Sequence, residues 1–414
     1  MTAGMGRAQR RVRVLGALAV AASWSVVFVG VAQPAAADTQ TKQWHLSAMQ
    51  AEDMWKVTTG EGVKVAVIDS GVNSSTPSLR GQVLEGLDAT EAAGDETDDY
   101  DGHGTTMAEL IAGTGEGGGL KGLAPGAKII PMRIALGEFE KQKPSITIQD
   151  TANAIRAAAD SEARIISMSF GSFYSSPEQH EAIKYAESKG KLLFAAVGNE
   201  GNKDNKPGYP AAYPEVVGVA SADRNGKVSD TSQHAGTVDV ASPGNDVPYW
   251  CDNSFKSYCD GDGGTSAATA IASASAALVW SLHPDWTANQ VLNVLFDTAG
   301  RDWKKGETSD YLGHGLIRPS MNVLKGKGEP GDPDISPLTK ERTTGAAESS
   351  KPEAAASASA QAAKNGAEGE KTVAAEETKS SGDKSQLGLI LGVTAVVVVL
   401  GGVAYAVVRR RKAA

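Results

Sequence analysis

The feature that most restricts the fold is an alternation in the middle of the chain, where short apolar runs bounded by glycine and polar residues are separated by longer segments of helical periodicity. The runs VKVAVIDSGV (63–72), KIIPMRIA (128–135), ARIISMSF (163–170), KLLFAAVG (191–198) and EVVGVASA (215–222) have strand length and almost no polar alternation. Strands buried on both faces have this character. Helical patterns occupy 104–112, 148–161, 177–189, 266–282 and 287–298. Strand and helix alternating at this spacing predict an α/β fold with a mostly parallel central sheet covered on both sides. Functional groups on such sheets gather at the carboxyl ends of the strands.

The two ends of the chain differ from this body. Arg7, Arg10, Arg11 and Arg13 precede an apolar run at 14–31 and small residues at Ala35 and Ala37. That order predicts a secretory signal peptide over 1–37, with a retained membrane helix as the alternative. The globular body is expected over 38–328. Residues 329–386 are Ala, Glu, Ser, Lys, Gly and Pro with few large apolar side chains, too little to offset the entropy of ordering, and predict a flexible tether. Residues 387–408 carry no charge and are followed by RRRK. As a helix this segment spans about 33 Å, enough for a hydrocarbon core of about 30 Å. The basic tail at 409–414 then stays in the cytoplasm by the positive-inside rule and the body lies outside. Cys251 and Cys259 are the only cysteines, and in an exported body a disulfide between them is favoured over two free thiols. With a net charge of −9 and basic clusters only at the termini, no surface predicts nucleic-acid binding.

Three polar residues fall where strand ends and helix starts present side chains. Asp69 closes VAVID, His103 lies in DGHGTTMAELIAG, and Ser266 lies in GGTSAATAIASASAALV. Singly, each is equally a cap or a satisfied polar group. Together they supply the acid, base and nucleophile of serine hydrolysis, in which the acid fixes the tautomer of the imidazole that deprotonates the hydroxyl.

Residues 43 to about 324 resemble the subtilisin-like serine proteases. DGHGT and GTSAA are similar to the family's histidine and serine motifs. KGLAPGAKIIPMRI (121–134), SMSFG (167–171), AAVGNEG (195–201), YPAAYPEVVGVASAD (209–223) and DVASPG (239–244) follow in the family's order. The resemblance implies a three-layer subtilisin-like fold and a serine endopeptidase acting on proteins or peptides, with no cofactor. It implies that Asp69, His103 and Ser266 form the triad and that Asn199 donates to the oxyanion. Ser169, Phe170 and Gly171 would pair with extended substrate, and Ala195, Ala196, Val197, Gly198 and Gly208 would border the specificity pocket. Three positions depart from the family pattern: Ala270 where proline is usual, Thr106 where a second histidine is common, and Glu109 where a small residue is common. The short stretch from Asp38 to the first strand leaves no room for the usual prodomain.

A signal peptide, disulfide loop, tether and C-terminal membrane helix together resemble the mycosins, membrane-anchored proteases associated with type VII secretion in actinobacteria, whose components are then expected partners. The rival is an idle subtilase scaffold bracing a secretion complex, or a general cell-surface protease. Other hydrolase classes are excluded by missing pieces. No second D-[ST]-G accompanies residues 69–71, and there is no H-E-x-x-H, no phosphate loop and no G-x-S-x-G. The acidic stretch DETDDYD (95–101) reads as a solvated loop ahead of a calcium site, and no metal ligand is assigned.

Overall fold

Along strand β1 (Lys64–Asp69), Val65 and Val67 enter one buried cluster while Ala66 and Ile68 enter another. Side chains of a strand alternate between faces, so the two clusters are the two sides of a sheet covered on both. The computed structural model describes residues 39–343 apart from 91, 137–147, 235 and 262. The leader, most of the tether, the apolar segment 387–408 and the basic tail lie outside the described residues.

Eight helices and nine strands are described within that range. The helices are α1 (Trp44–Ala48), α2 (Ala51–Met54), α3 (His103–Ala112), α4 (Ile148–Asp160), α5 (Pro177–Ser188), α6 (Gly264–Leu282), α7 (Ala288–Thr298) and α8 (Ser320–Val323). After β1 come β2 (Leu87–Asp88), β3 (Lys128–Arg133), β4 (Ile165–Met168), β5 (Leu192–Ala196), β6 (Val217–Ala222), β7 (Val240–Pro243), β8 (Tyr249–Trp250) and β9 (Tyr258–Cys259). Seven strands form one parallel sheet in the order β2-β3-β1-β4-β5-β6-β7, and β8 and β9 form an antiparallel pair. The parallel sheet and the five helices read from periodicity are present, with ends within two or three residues of expectation. The short strands β2, β7, β8 and β9 carry too few residues for a pattern to show.

Strand β1 has β3 on one side and β4 on the other, with Val65 in register with both Ile129 and Ile165. The strand order therefore reverses at β1, and its carboxyl end, Asp69, sits at the switch point where sheets of this type open a crevice. Helices α3 and α6 pack on one face of the sheet, α4 and α5 on the other. Helix α6 is apolar and long enough to cross a membrane by composition, yet nearly all of it is buried against the sheet. Its alanines and serines allow close approach. The buried hydroxyls of Thr269 and Ser275 donate to the carbonyls of Thr265 and Ile271 one turn back, which satisfies them without outside partners. Ala270, fully buried, lies within this unbroken helix, so the missing proline leaves the backbone ladder intact.

The tether boundary differs from expectation. Residues 329–343, which composition places in the tether, are packed on the body. The Pro333 carbonyl accepts from Thr287 Oγ1 and Asn289 Nδ2, both at 2.9 Å, Ile335 bridges Arg342, and Leu338 packs on the core. Two apolar side chains and a proline turn suffice to anchor a strap that averaging over a polar window hides.

Candidate active site

Asp69 is fully buried at the end of β1, and its Oδ1 accepts from Ser70 N at 2.8 Å. The same oxygen lies 2.7 Å from Nδ1 of His103, the first residue of α3. A carboxylate can only accept, so Nδ1 carries a proton, and in the neutral imidazole the lone pair is on Nε2. Desolvation opposes charge on this imidazole, but Asp69, with Asp101 and Asp99 behind it, outweighs that effect and raises the pKa well above the ordinary 6.5. Gly104 is required next to it: a Cβ there would stand 2.1 Å from the Gly71 carbonyl oxygen and 3.0 Å from Asp69 Cβ.

The loop entering α3 is built around Asp99, a residue that sequence reasoning missed. Its Oδ1 accepts from Ser70 Oγ (2.9 Å), Asp101 N (3.0 Å) and Gly102 N (2.8 Å), and its Oδ2 from Thr105 N (2.9 Å) and Thr105 Oγ1 (2.6 Å). Burial raises its pKa while these donors lower it. The first turn of a helix leaves N–H groups without partners inside the helix, and Asp99 satisfies one of them from outside. Ser70 Oγ takes Gly104 N at 3.0 Å, so one hydroxyl joins the Asp69 turn, Asp99 and the start of the histidine helix. The only sequence signal was an acid two residues before DGHGT.

The acidic stretch 95–101 is solvated at Asp95, Asp98 and Tyr100, as a surface loop should be, but it is anchored from within. Asp99 is buried, and the loop is wrapped around Arg133, whose side chain is 1% exposed at the end of β3. Its guanidinium donates to Asp88 Oδ2 (3.2 Å) and to the carbonyls of Asp95 (2.8 Å) and Ala93 (3.2 Å), beneath the Tyr100 ring. A side-chain cation therefore organises this acidic segment. Among the described residues no group of three or more His, Cys, Asp or Glu could hold a metal ion.

Ser266 is the third residue of α6, ahead of which no helical carbonyl can accept its N–H. Its Oγ donates to the Ser169 carbonyl at 3.0 Å, and Ser169 Oγ donates back to the Ser266 carbonyl at 3.0 Å. Among the described residues no hydrogen bond joins Ser266 to His103. Asn199, just beyond β5, meets the same helix start. Its Oδ1 accepts from Thr265 N (3.0 Å) and Thr265 Oγ1 (3.1 Å), which fixes the amide orientation and turns Nδ2 away as an uncommitted donor. Gly264 has φ +56°, and a Cβ there would lie 2.7 Å from Asn199 Oδ1.

Between Ser169 and Asn199 a cleft of about 320 Å³ opens. Ser169, Phe170, Gly171, Ala196, Val197, Gly198 and Gly208 line it. Ala195 does not; it is fully buried inside β5, one residue short of the carboxyl end of the strand at which the cleft opens. Phe173, Glu200 and Gln233 also line the cleft; Glu200 lies within AAVGNEG without having been singled out, and no quoted motif contains the other two.

Two of the three departures from the family pattern meet one element. Cys251 and Cys259 are joined by a disulfide that closes the β8–β9 hairpin. Thr106 Oγ1 accepts from Trp250 N at 3.1 Å, and the fully buried Glu109 accepts from Tyr258 OH at 2.6 Å and from Thr76 Oγ1 at 2.8 Å. Burial pushes the Glu109 carboxyl up to about 7, although its hydroxyl donors pull the other way.

Residues 60–315 match the subtilase family. Over 280 residues the chain is 33% identical to thermitase of Thermoactinomyces vulgaris, covering 66% of this chain and 95% of thermitase. Among solved structures it is similar to MycP1 from Mycobacterium smegmatis, with 27% identity and a TM-score of 0.60 over 72% of this chain and 88% of that one. It is also similar to MycP3, a protease from the type VII (ESX-3) secretion system, with 27% identity and a TM-score of 0.58 over 68% and 87% of the two chains. A family match across the whole sheet, together with identity along nearly all of thermitase, identifies this chain as a member of the subtilase family of serine proteases.

Proposed function

We propose that this subtilisin-like endopeptidase cleaves proteins outside the cell through Asp69, His103 and Ser266, with Asn199 stabilising the oxyanion, while a C-terminal membrane helix tethers it. The observation that carries the reading is the Asp69–His103 bond at the sheet's switch point, on a helix packed against the one at whose start Ser266 and the oriented Asn199 amide meet. In this mechanism Ser266 Oγ exchanges its bond to Ser169 for one to His103 Nε2, gives up its proton there, and attacks the scissile carbonyl carbon. The tetrahedral oxygen accepts from Asn199 Nδ2 and Ser266 N–H. His103, now charged and steadied by Asp69, protonates the departing amine, and water completes the cycle by the same route in reverse.

The leader-like N-terminus, the disulfide and the apolar segment before RRRK support an exported, anchored enzyme. Likeness to MycP1 and MycP3 supports a place beside type VII secretion components. A fluorophosphonate probe tests the chemistry: the parent labels and Ser266→Ala does not. Equal labelling of both, or of neither, refutes the assignment and leaves the scaffold reading. Protease shaving of intact cells that spares the body would refute the topology.

A further inference from the structure

We propose that the disulfide-closed hairpin 249–259 is a positioning element for His103, holding the helix that carries the imidazole through Thr106 and Glu109. The inference rests on the reading of His103 as the general base. Thr106 and Glu109 follow His103 at steps of three, so they lie along one flank of α3 running inward from the catalytic end. The hairpin supplies a polar anchor to each. Trp250 N donates to Thr106 Oγ1, which itself donates to the Gly102 carbonyl at 2.7 Å, one residue before His103. Tyr258 OH donates to Glu109.

The hairpin also meets the loop that delivers His103. A Cβ on Gly102 would lie 3.1 Å from the Asp252 carbonyl oxygen, and Asn253 Nδ2 donates to the Tyr100 carbonyl at 2.9 Å. Apolar packing alone lets a helix slide along its axis, whereas these directional bonds fix its register against β8 and β9. A two-stranded ribbon of two residues a side is marginal by itself. Here the Trp250 and Tyr258 rings stack with centroids 3.8 Å apart, and the Cys251–Cys259 bond holds the ends together, so both anchors are presented as a unit. An imidazole tolerates displacement of only about 0.5 Å before base catalysis suffers. The hairpin therefore contributes to rate without touching substrate.

The test uses the purified full chain in four forms besides the parent: Tyr258→Phe, Thr106→Val, the double Cys251→Ser/Cys259→Ser, and His103→Ala. Steady-state kcat and KM on a peptide are measured from pH 5 to 10, alongside Tm. The three hairpin and flank variants are expected to lower kcat about 10- to 100-fold with KM within about twofold. Their acid limb should move toward 6.5, because His103 faces Asp69, Asp99 and Asp101 and loses part of their hold when the helix shifts. Reductant should slow the parent and leave the double serine variant unchanged. Loss of Tm with kcat and the acid limb unaltered in the Tyr258 and Thr106 variants overturns the inference, since the hairpin then only stabilises. Retained activity in His103→Ala instead overturns the site assignment, so the two failures are separable.

Discussion

Replacing Asp99 by asparagine tests whether the loop entering the histidine helix is held by a charge. The carboxylate receives three bonds on Oδ1 and two on Oδ2. An asparagine can present its oxygen to only one of these groups. With oxygen toward Gly102, the amide N–H₂ faces Thr105 N and Thr105 Oγ1, and the latter already accepts from Asn73 N at 2.9 Å. Either orientation forfeits at least two charge-assisted bonds of about 1.5–3 kcal/mol each. Relief of the buried charge, the cause of the raised Asp99 pKa, offsets part of that loss. The expected net destabilisation is about 3–5 kcal/mol, or roughly 6–12 °C in Tm for a body of this size. Calorimetry gives the first readout and the pH dependence of kcat/KM the second. Asp99 helps keep His103 protonated, so its neutralisation lowers the His103 pKa and moves the acid limb of activity to lower pH. A Tm within about 2 °C of the parent, with the limb unmoved, would mean that the carboxyl is already protonated in the fold and that five donors do not converge on an anion.

Two further outcomes follow from the same geometry. Asn199→Ala should lower kcat by about 10²–10³ with little change in KM, since its Nδ2 acts on charge that exists only during reaction; steady-state kinetics with kcat preserved would remove it from the mechanism. Burial raises the Glu109 carboxyl from 4.5 to about 7, so the fold favours its protonated form. That contribution is complete below pH 4.5 and is lost as pH rises through 7, a change of about 3 kcal/mol. Urea unfolding of Glu109→Gln and the parent from pH 4.5 to 8.5 should therefore show a stability difference that grows in the variant's favour with pH, and a constant difference would contradict the shift.

How much was readable can be judged from particular residues. The core strands and long helices were legible because periodicity is a local consequence of burying one or both faces. Asp69, His103, Ser266 and Asn199 could be singled out as candidates because each sits in a short motif whose glycines serve a local need, such as Gly104 against Asp69 and Gly264 against Asn199. Ala195 was misplaced because a motif match does not say where the strand ends and the cleft begins. The strap at 329–343 was missed because few contacts anchor it.

The sequence by itself determined the alternation of strand and helix, the order of the proposed catalytic groups and the serine-protease family to which the chain belongs. Only the tertiary structure decided what surrounds them: Arg133 inside the acidic loop, Asp99 bridging two turns, and a hairpin almost 150 residues downstream seated on Thr106 and Glu109. The physical reason is that hydrogen-bond partners of buried charges are chosen by proximity in the folded chain. Thr106 and Glu109 look like deviations along the sequence and become complementary only when β8 and β9 arrive beside them.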